Sequence, residues 1–234
     1  MEKLILYSFE GGYLFQHGAT LFQILKMTKR NNSECVSLET NILFLIGTIS
    51  RIIWIPSSSL SDIYITYIEL LLAITTLSYV IYLYQKNKVR NFYVNEIKLP
   101  YFLKLYILLP LIAVLSFFFN PGESYFTDQI FVAFGMFCES FGLLPQLYII
   151  RKSKDSGDLS ELYVVFLAIA RLLRLFFWIA MFIQGGRFFS LIVADIIHFL
   201  ALLNFVYNVV KNWSGKGLPT SFAELKPNTN KKMF

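Results

Sequence analysis

Residues Cys138 to Trp178 read C-E-S-F-G-L-L-P-Q-L-Y-I-I-R-K-S-K-D-S-G-D-L-S-E-L-Y-V-V-F-L-A-I-A-R-L-L-R-L-F-F-W. Two apolar runs flank a short polar loop. Each run carries ionisable residues where the middle of a membrane span would fall: Glu139 in the first, Arg171 and Arg174 in the second. A charged group at bilayer depth costs roughly 2.5–3.5 kcal/mol on insertion scales, so such groups face a bundle interior or a watery cavity and mark candidate functional sites.

The rest of the chain has the same character. Of its 234 residues, 56% are hydrophobic, 18% aromatic and only 15% charged. Long apolar runs in lipid must be helical, because nothing else satisfies their backbone polar groups. The fold class is therefore an all-α, polytopic membrane protein. Spans are expected near 5–26, 38–57, 62–84, 99–120, 126–150, 161–184 and 188–210. The first is the weakest, interrupted by Glu10, Gln16, His17 and Gln23. Met1 to Gly12 lacks the compact apolar core of a cleavable signal.

Charge sets the expected orientation. Fifteen basic residues fall in the loops after spans 1, 3 and 5 and in the tail, against Lys3 and Arg187 alone on the other side. By the positive-inside rule the N-terminus is lumenal and the C-terminus cytosolic, which requires seven spans. The net charge of +6 is thereby accounted for without nucleic acid. Cys35 and Cys138 are far apart, and no metal box, P-loop or hydrolase triad is present, so neither a metal, a cofactor nor an enzyme is indicated.

A repeat is visible at an offset of 123 residues: Gln23 with Gln146, Lys29 with Lys152, Ser33 with Ser156, Ser37 with Ser160, and Arg51 with Arg174. It predicts two parallel three-helix bundles joined by a connector, a 3+1+3 plan. Residues 1–210 form the membrane domain, with repeat one near 5–84, the connector near 99–120 and repeat two near 126–210. Residues 211–234 form a cytosolic tail. Folds built this way place their sites near the midplane between repeats.

The ionisable groups within spans are Arg51, Glu69, Glu139, Arg171, Arg174, Asp195 and His198, with His17 in the first span. Paired, they would hold helices in register. Left partly free, the arginine forks would bind an anionic ligand bidentately. Arg171 and Arg174 share a helix face, as do Asp195 and His198. His17, His198 and Asp195 are the candidate pH-sensing groups, since an imidazole near a carboxylate titrates close to physiological pH. Trp54 and Trp178, at span ends, suit interfacial anchoring.

The run F-C-E-S-F-G-L-L-P-Q-L, the loop after it, the span with Arg171 and Trp178, and C-V-S-L-E-T-N-I-L-F-L-I-G-T-I-S-R around Arg51 together resemble the endoplasmic reticulum lumen protein-retaining receptors, the KDEL receptors. Pro145-Gln146 also fits the broader PQ-loop group. The resemblance implies a seven-helix fold with a lumenal cavity. That cavity would bind the C-terminal tetrapeptide of endoplasmic reticulum residents, more tightly at Golgi pH. It further implies that Arg51 holds the peptide, Arg171 pairs with Glu139, and Trp178 lines the pocket. Arg174 and Glu69 join the expected ligand-binding set. The chain departs from the family at Trp54, where an acidic residue is usual, and at Ala170, Met181, Asn204 and Gln16. Lys231 and Lys232 resemble the dilysine signal read by the retrograde (COPI) coat, and the basic tail also suits contact with lipid headgroups. The competing expectation is a small-solute or proton-coupled transporter, suggested by the PQ dipeptide and the repeat.

Overall fold

The computed structural model describes residues 2–30, 36–62, 64–90, 97–122, 126–152, 158–185 and 188–216. Among them are seven α-helices: α1 (Glu2–Arg30), α2 (Leu38–Trp54), α3 (Tyr64–Arg90), α4 (Leu105–Phe118), α5 (Gln129–Lys152), α6 (Asp158–Ile183) and α7 (Phe189–Lys216). Four stretches are long and apolar enough to cross a membrane: Leu38–Ser57, Tyr64–Lys88, Gln129–Lys152 and Glu161–Ile183. The chain is an all-helical, multi-pass membrane protein.

Helix boundaries follow local chemistry. Ser37 caps α2, its hydroxyl accepting from the Thr40 N–H at 3.1 Å. Its own N–H donates to Gln146 Oε1 of α5 at 2.7 Å, so the glutamine beside Pro145 anchors the start of α2. Helix α2 gives way at Pro56 to a short 3-10 turn, Ile55–Ser57. Helix α4 starts later than the sequence suggests: Pro100 and Lys104 adopt extended ψ values of 151° and 147° around a 3-10 turn, which delays the helix to Leu105. Helix α6 ends at Ile183, two residues before Gly185, whose φ of +92° is a conformation that favours glycine.

Helix α1 is organised differently from the others. It buries Glu10, Tyr13, Gln16, His17, Thr20 and Gln23, and exposes Tyr7, Leu14, Leu21 and Leu25. The buried residues recur every three or four positions, so one stripe faces the bundle. Polar inside and apolar outside is the arrangement a lipid solvent favours. The expected weakness of this span is thus a consequence of where its polar residues point.

The most extensive helix contacts join α1 to α6 and α2 to α5. Both rest on small residues. A Cβ at Gly12 would lie 2.6 Å from Arg174 Cγ and 2.9 Å from the Ala170 carbonyl oxygen. A Cβ at Gly135 would lie 3.1 Å from the Gly47 carbonyl oxygen and 3.5 Å from Arg51 Cγ. The two sets correspond at the same 123-residue offset: Gly12 with Gly135, Ala170 with Gly47, and Arg174 with Arg51.

Candidate functional site

The interior polar groups fall into two ion-pair clusters. The first lies near the end of the bundle that carries the α2–α3, α4–α5 and α6–α7 connections. Arg51 stands three residues before Trp54, about 4.5 Å along the helix. Its Nη2 donates to Glu69 Oε2 at 2.7 Å, and its Nη1 to Oε1 at 3.4 Å. His17 Nε2 lies 2.6 Å from the same Oε1. One turn earlier on α3, the Thr66 hydroxyl donates to Glu10 Oε1 at 2.8 Å, while Glu10 Oε2 has no hydrogen-bond partner. Helices α1, α2 and α3 therefore meet around one carboxylate.

The second cluster joins α5, α6 and α7. Arg171 Nη1 donates to Glu139 Oε2 at 3.1 Å and to Asp195 Oδ1 at 3.3 Å. Arg174 donates through Nη1 to Glu139 Oε2 and through Nη2 to Asp195 Oδ1, the latter at 3.3 Å. All four side chains are fully buried. Two guanidinium groups thus bridge two carboxylates, and removing one member of such a buried set costs about 3–5 kcal/mol, because it strands the others. Arg171 uses only Nη1 here. Its Nε and Nη2, the other edge of the fork, have no hydrogen-bond partner.

The side chain between the clusters is Tyr13 of α1. The Arg51 guanidinium carbon lies 3.3 Å from the ring centroid, and that of Arg174 lies 4.7 Å from it. Above them, Phe9, Phe177, Trp178 and Phe188 form an aromatic cap, with Trp178 centroids 5.7, 4.8 and 5.3 Å from those of Phe9, Phe177 and Phe188. Trp54 Nε1 donates to Gln129 Oε1 at 3.2 Å. Both tryptophans are buried rather than lipid-facing, which corrects the expectation of interfacial anchors. Beyond the cap a cleft of about 530 Å³ opens between Ser57, Pro121, Thr127, Asp128, Gln129 and Phe188.

Every buried ionisable residue singled out from the sequence is inside the bundle. The structure brings Arg51, Glu69 and His17 together, and Arg171, Arg174, Glu139 and Asp195 together. His198 does not join Asp195 as their spacing suggested: Asp195 turns towards α6, and neither ring nitrogen of His198 has a hydrogen-bond partner. Lys231 and Lys232 lie outside the described residues. Sequence reasoning missed Glu10, Tyr13 and Thr66. The spacing of Glu10, Tyr13 and His17, which puts them on one helix face, was the available signal.

Comparisons with known proteins bear on what this site serves. Residues 32–181 match the family described as ER lumen protein retaining receptor. The receptor of that name from Entamoeba histolytica is 26% identical over 193 residues, covering 82% of this chain and 86% of its own. The one from Kluyveromyces lactis is 27% identical over 197 residues, covering 82% and 88%. ER lumen protein-retaining receptor 2 of Bos taurus is 27% identical over 216 residues, covering 88% and 95%. These relatives are named as retention receptors, not as enzymes. On the extent of that match, the chain belongs to the ER lumen protein retaining receptor family.

Proposed function

We propose that the protein is a cargo receptor that binds KDEL- or HDEL-like C-terminal tetrapeptides of endoplasmic reticulum residents in the Golgi lumen and returns them to the endoplasmic reticulum. The observation that carries this reading is the cluster of three buried arginines beneath an aromatic cap and an open cleft. A peptide terminus is a carboxylate, and buried guanidinium forks are suited to receive one.

In this reading the seven helices are seven spans in a 3+1+3 plan. The membrane domain is 1–210, and the cleft end is lumenal, as is the N-terminus. Residues 211–234 face the cytosol, where Lys231 and Lys232 engage the retrograde coat and the basic tail meets lipid headgroups. Arg51, Arg171, Arg174, Trp178, Glu139 and Glu69 form the ligand site. The correspondence of the α1–α6 and α2–α5 contacts at one sequence offset supports the repeat. His17, in contact with Glu69, is the group best placed to couple protonation to binding: a cationic imidazole satisfies Glu69 and releases Arg51 towards an anionic ligand. The family match favours this receptor over a small-solute transporter.

The test is binding of peptides ending in H-D-E-L or K-D-E-L to purified protein, with C-terminally amidated peptides as control. The expected result is binding that needs the free carboxylate. Equal affinity for free and amidated peptides would overturn the assignment.

A further inference from the structure

We propose that Tyr13 is a positioning residue that couples the two ion-pair clusters, so that an anion bound at Arg51 is felt at Glu139, Arg171 and Asp195 through Arg174. The proposal rests on the receptor reading for the identity of the anion, but its geometry stands apart from it.

Arg51 belongs to the cluster of α1, α2 and α3, and Arg174 to that of α5, α6 and α7. Among the described residues no hydrogen bond runs directly between the two groups. The contact they share is the Tyr13 ring, which both guanidinium groups approach, at 3.3 and 4.7 Å from its centroid. The ring is 2% exposed, so its attraction for cations acts with little solvent screening. Arg51 and Arg174 hold equivalent places in the two halves, at the 123-residue offset, whereas the equivalent of Tyr13 is Met136. One ring therefore serves both arginines, and the duplicated architecture becomes asymmetric at this residue.

The physical consequence is a shared π-system: both cations draw on one ring. An anion that draws Arg51 away from Glu69 also draws it off the ring. The ring then answers to Arg174 alone, which holds Glu139 and Asp195. Ligand occupancy on one side of the bundle thereby alters the ion pairs that tie α5, α6 and α7 together. The role requires an aromatic face, so phenylalanine replaces tyrosine and an aliphatic residue does not.

The experiment uses the full chain in nanodiscs with isotope-labelled arginine. The guanidinium resonances are assigned through Arg51→Lys and Arg174→Lys. Glu69→Gln perturbs the first cluster without touching Arg174. It is expected to shift the Arg174 resonance in the otherwise native protein and in Tyr13→Phe, and to leave it unmoved in Tyr13→Leu. A shift that persists in Tyr13→Leu, or is absent from the native background, overturns the coupling. Tyr13→Met serves the same purpose if the leucine variant does not fold. In parallel, affinity for a free-carboxylate H-D-E-L peptide is expected to stay within about twofold in Tyr13→Phe and to fall about tenfold in Tyr13→Leu, in line with a desolvated cation–π contact. Unchanged affinity in Tyr13→Leu overturns the positioning role. If the native protein binds no such peptide, the receptor reading fails, and the arginine spectra still decide the coupling.

Discussion

Gly12 lies against Arg174 so closely that a Cβ added to it would sit 2.6 Å from Arg174 Cγ. The same Cβ would press on the Ala170 carbonyl oxygen at 2.9 Å, which is backbone and cannot swing away. Gly12→Ala is therefore expected to push α1 from α6 and to destabilise the protein by about 1–3 kcal/mol, the usual cost of overpacking. Thermal unfolding of the purified variant checks this. A melting temperature equal to that of the native protein would show that α6 yields without cost.

Arg51 and Glu69 share two buried hydrogen bonds, so their losses should not be additive. Arg51→Ala leaves the Glu69 carboxylate with His17 alone, and such stranding costs about 3–5 kcal/mol. The double variant Arg51→Ala, Glu69→Gln removes both charges and is expected to unfold at a higher temperature than Arg51→Ala. Both should lose affinity for a free-carboxylate peptide. With the single variant Glu69→Gln the comparison is a double-mutant cycle read by unfolding and by binding, and an additive cycle would show that the two side chains act independently.

His17 and His198 are both buried, but only His17 touches a carboxylate through a hydrogen bond. Loss of that bond leaves Glu69 to Arg51 alone and holds the guanidinium more tightly against an incoming carboxylate. His17→Ala is therefore expected to weaken binding of a free-carboxylate peptide, and His198→Ala to leave it unchanged. Isothermal titration measures both affinities. Unchanged affinity in His17→Ala would show that the imidazole does not influence the ligand.

Gln146 offers a fourth test. Its Oε1 accepts the Ser37 N–H that opens α2. Gln146→Leu leaves that buried donor unpaired, which costs about 1–3 kcal/mol. Faster amide exchange at residues 37–41 would locate the loss at the start of α2. Unchanged exchange there would show that the donor finds another acceptor.

Much of this architecture could be read before any coordinates. Arg51, Glu69, Glu139, Arg171, Arg174 and Asp195 stood out because each interrupts an apolar run, and a lipid solvent leaves an interior position as their resting place. Their partners could not be read, because registry between helices distant in sequence is set by side-chain packing and not by spacing along the chain. Glu69 went to Arg51 and His17, and Asp195 to α6 and not to His198. Tyr13 shares a helix face with Glu10 and His17, but nothing else in the sequence marks it. An aromatic residue in a membrane helix carries no anomaly, and its importance comes only from the two guanidinium groups that reach it. Helix α1 looked weakest because hydropathy averages over the whole circumference. Its mean is lowered by Glu10, Gln16, His17 and Gln23, which the structure turns away from lipid.

That inward polar stripe also sets the order of events during synthesis. Helix α1 leaves the ribosome long before α6, its principal neighbour. Thr66 and Glu69 of α3, the partners of Glu10 and His17, follow 56 and 52 residues later, but the face of α1 that meets α6 stays uncovered until about 150 further residues have been translated, and late, long-range pairing of this kind leaves nascent chains open to mispairing. A chain that lacks α6 would leave that face of α1, Gly12 included, open to the bilayer. The first helix made is thus among the last to be fully enclosed.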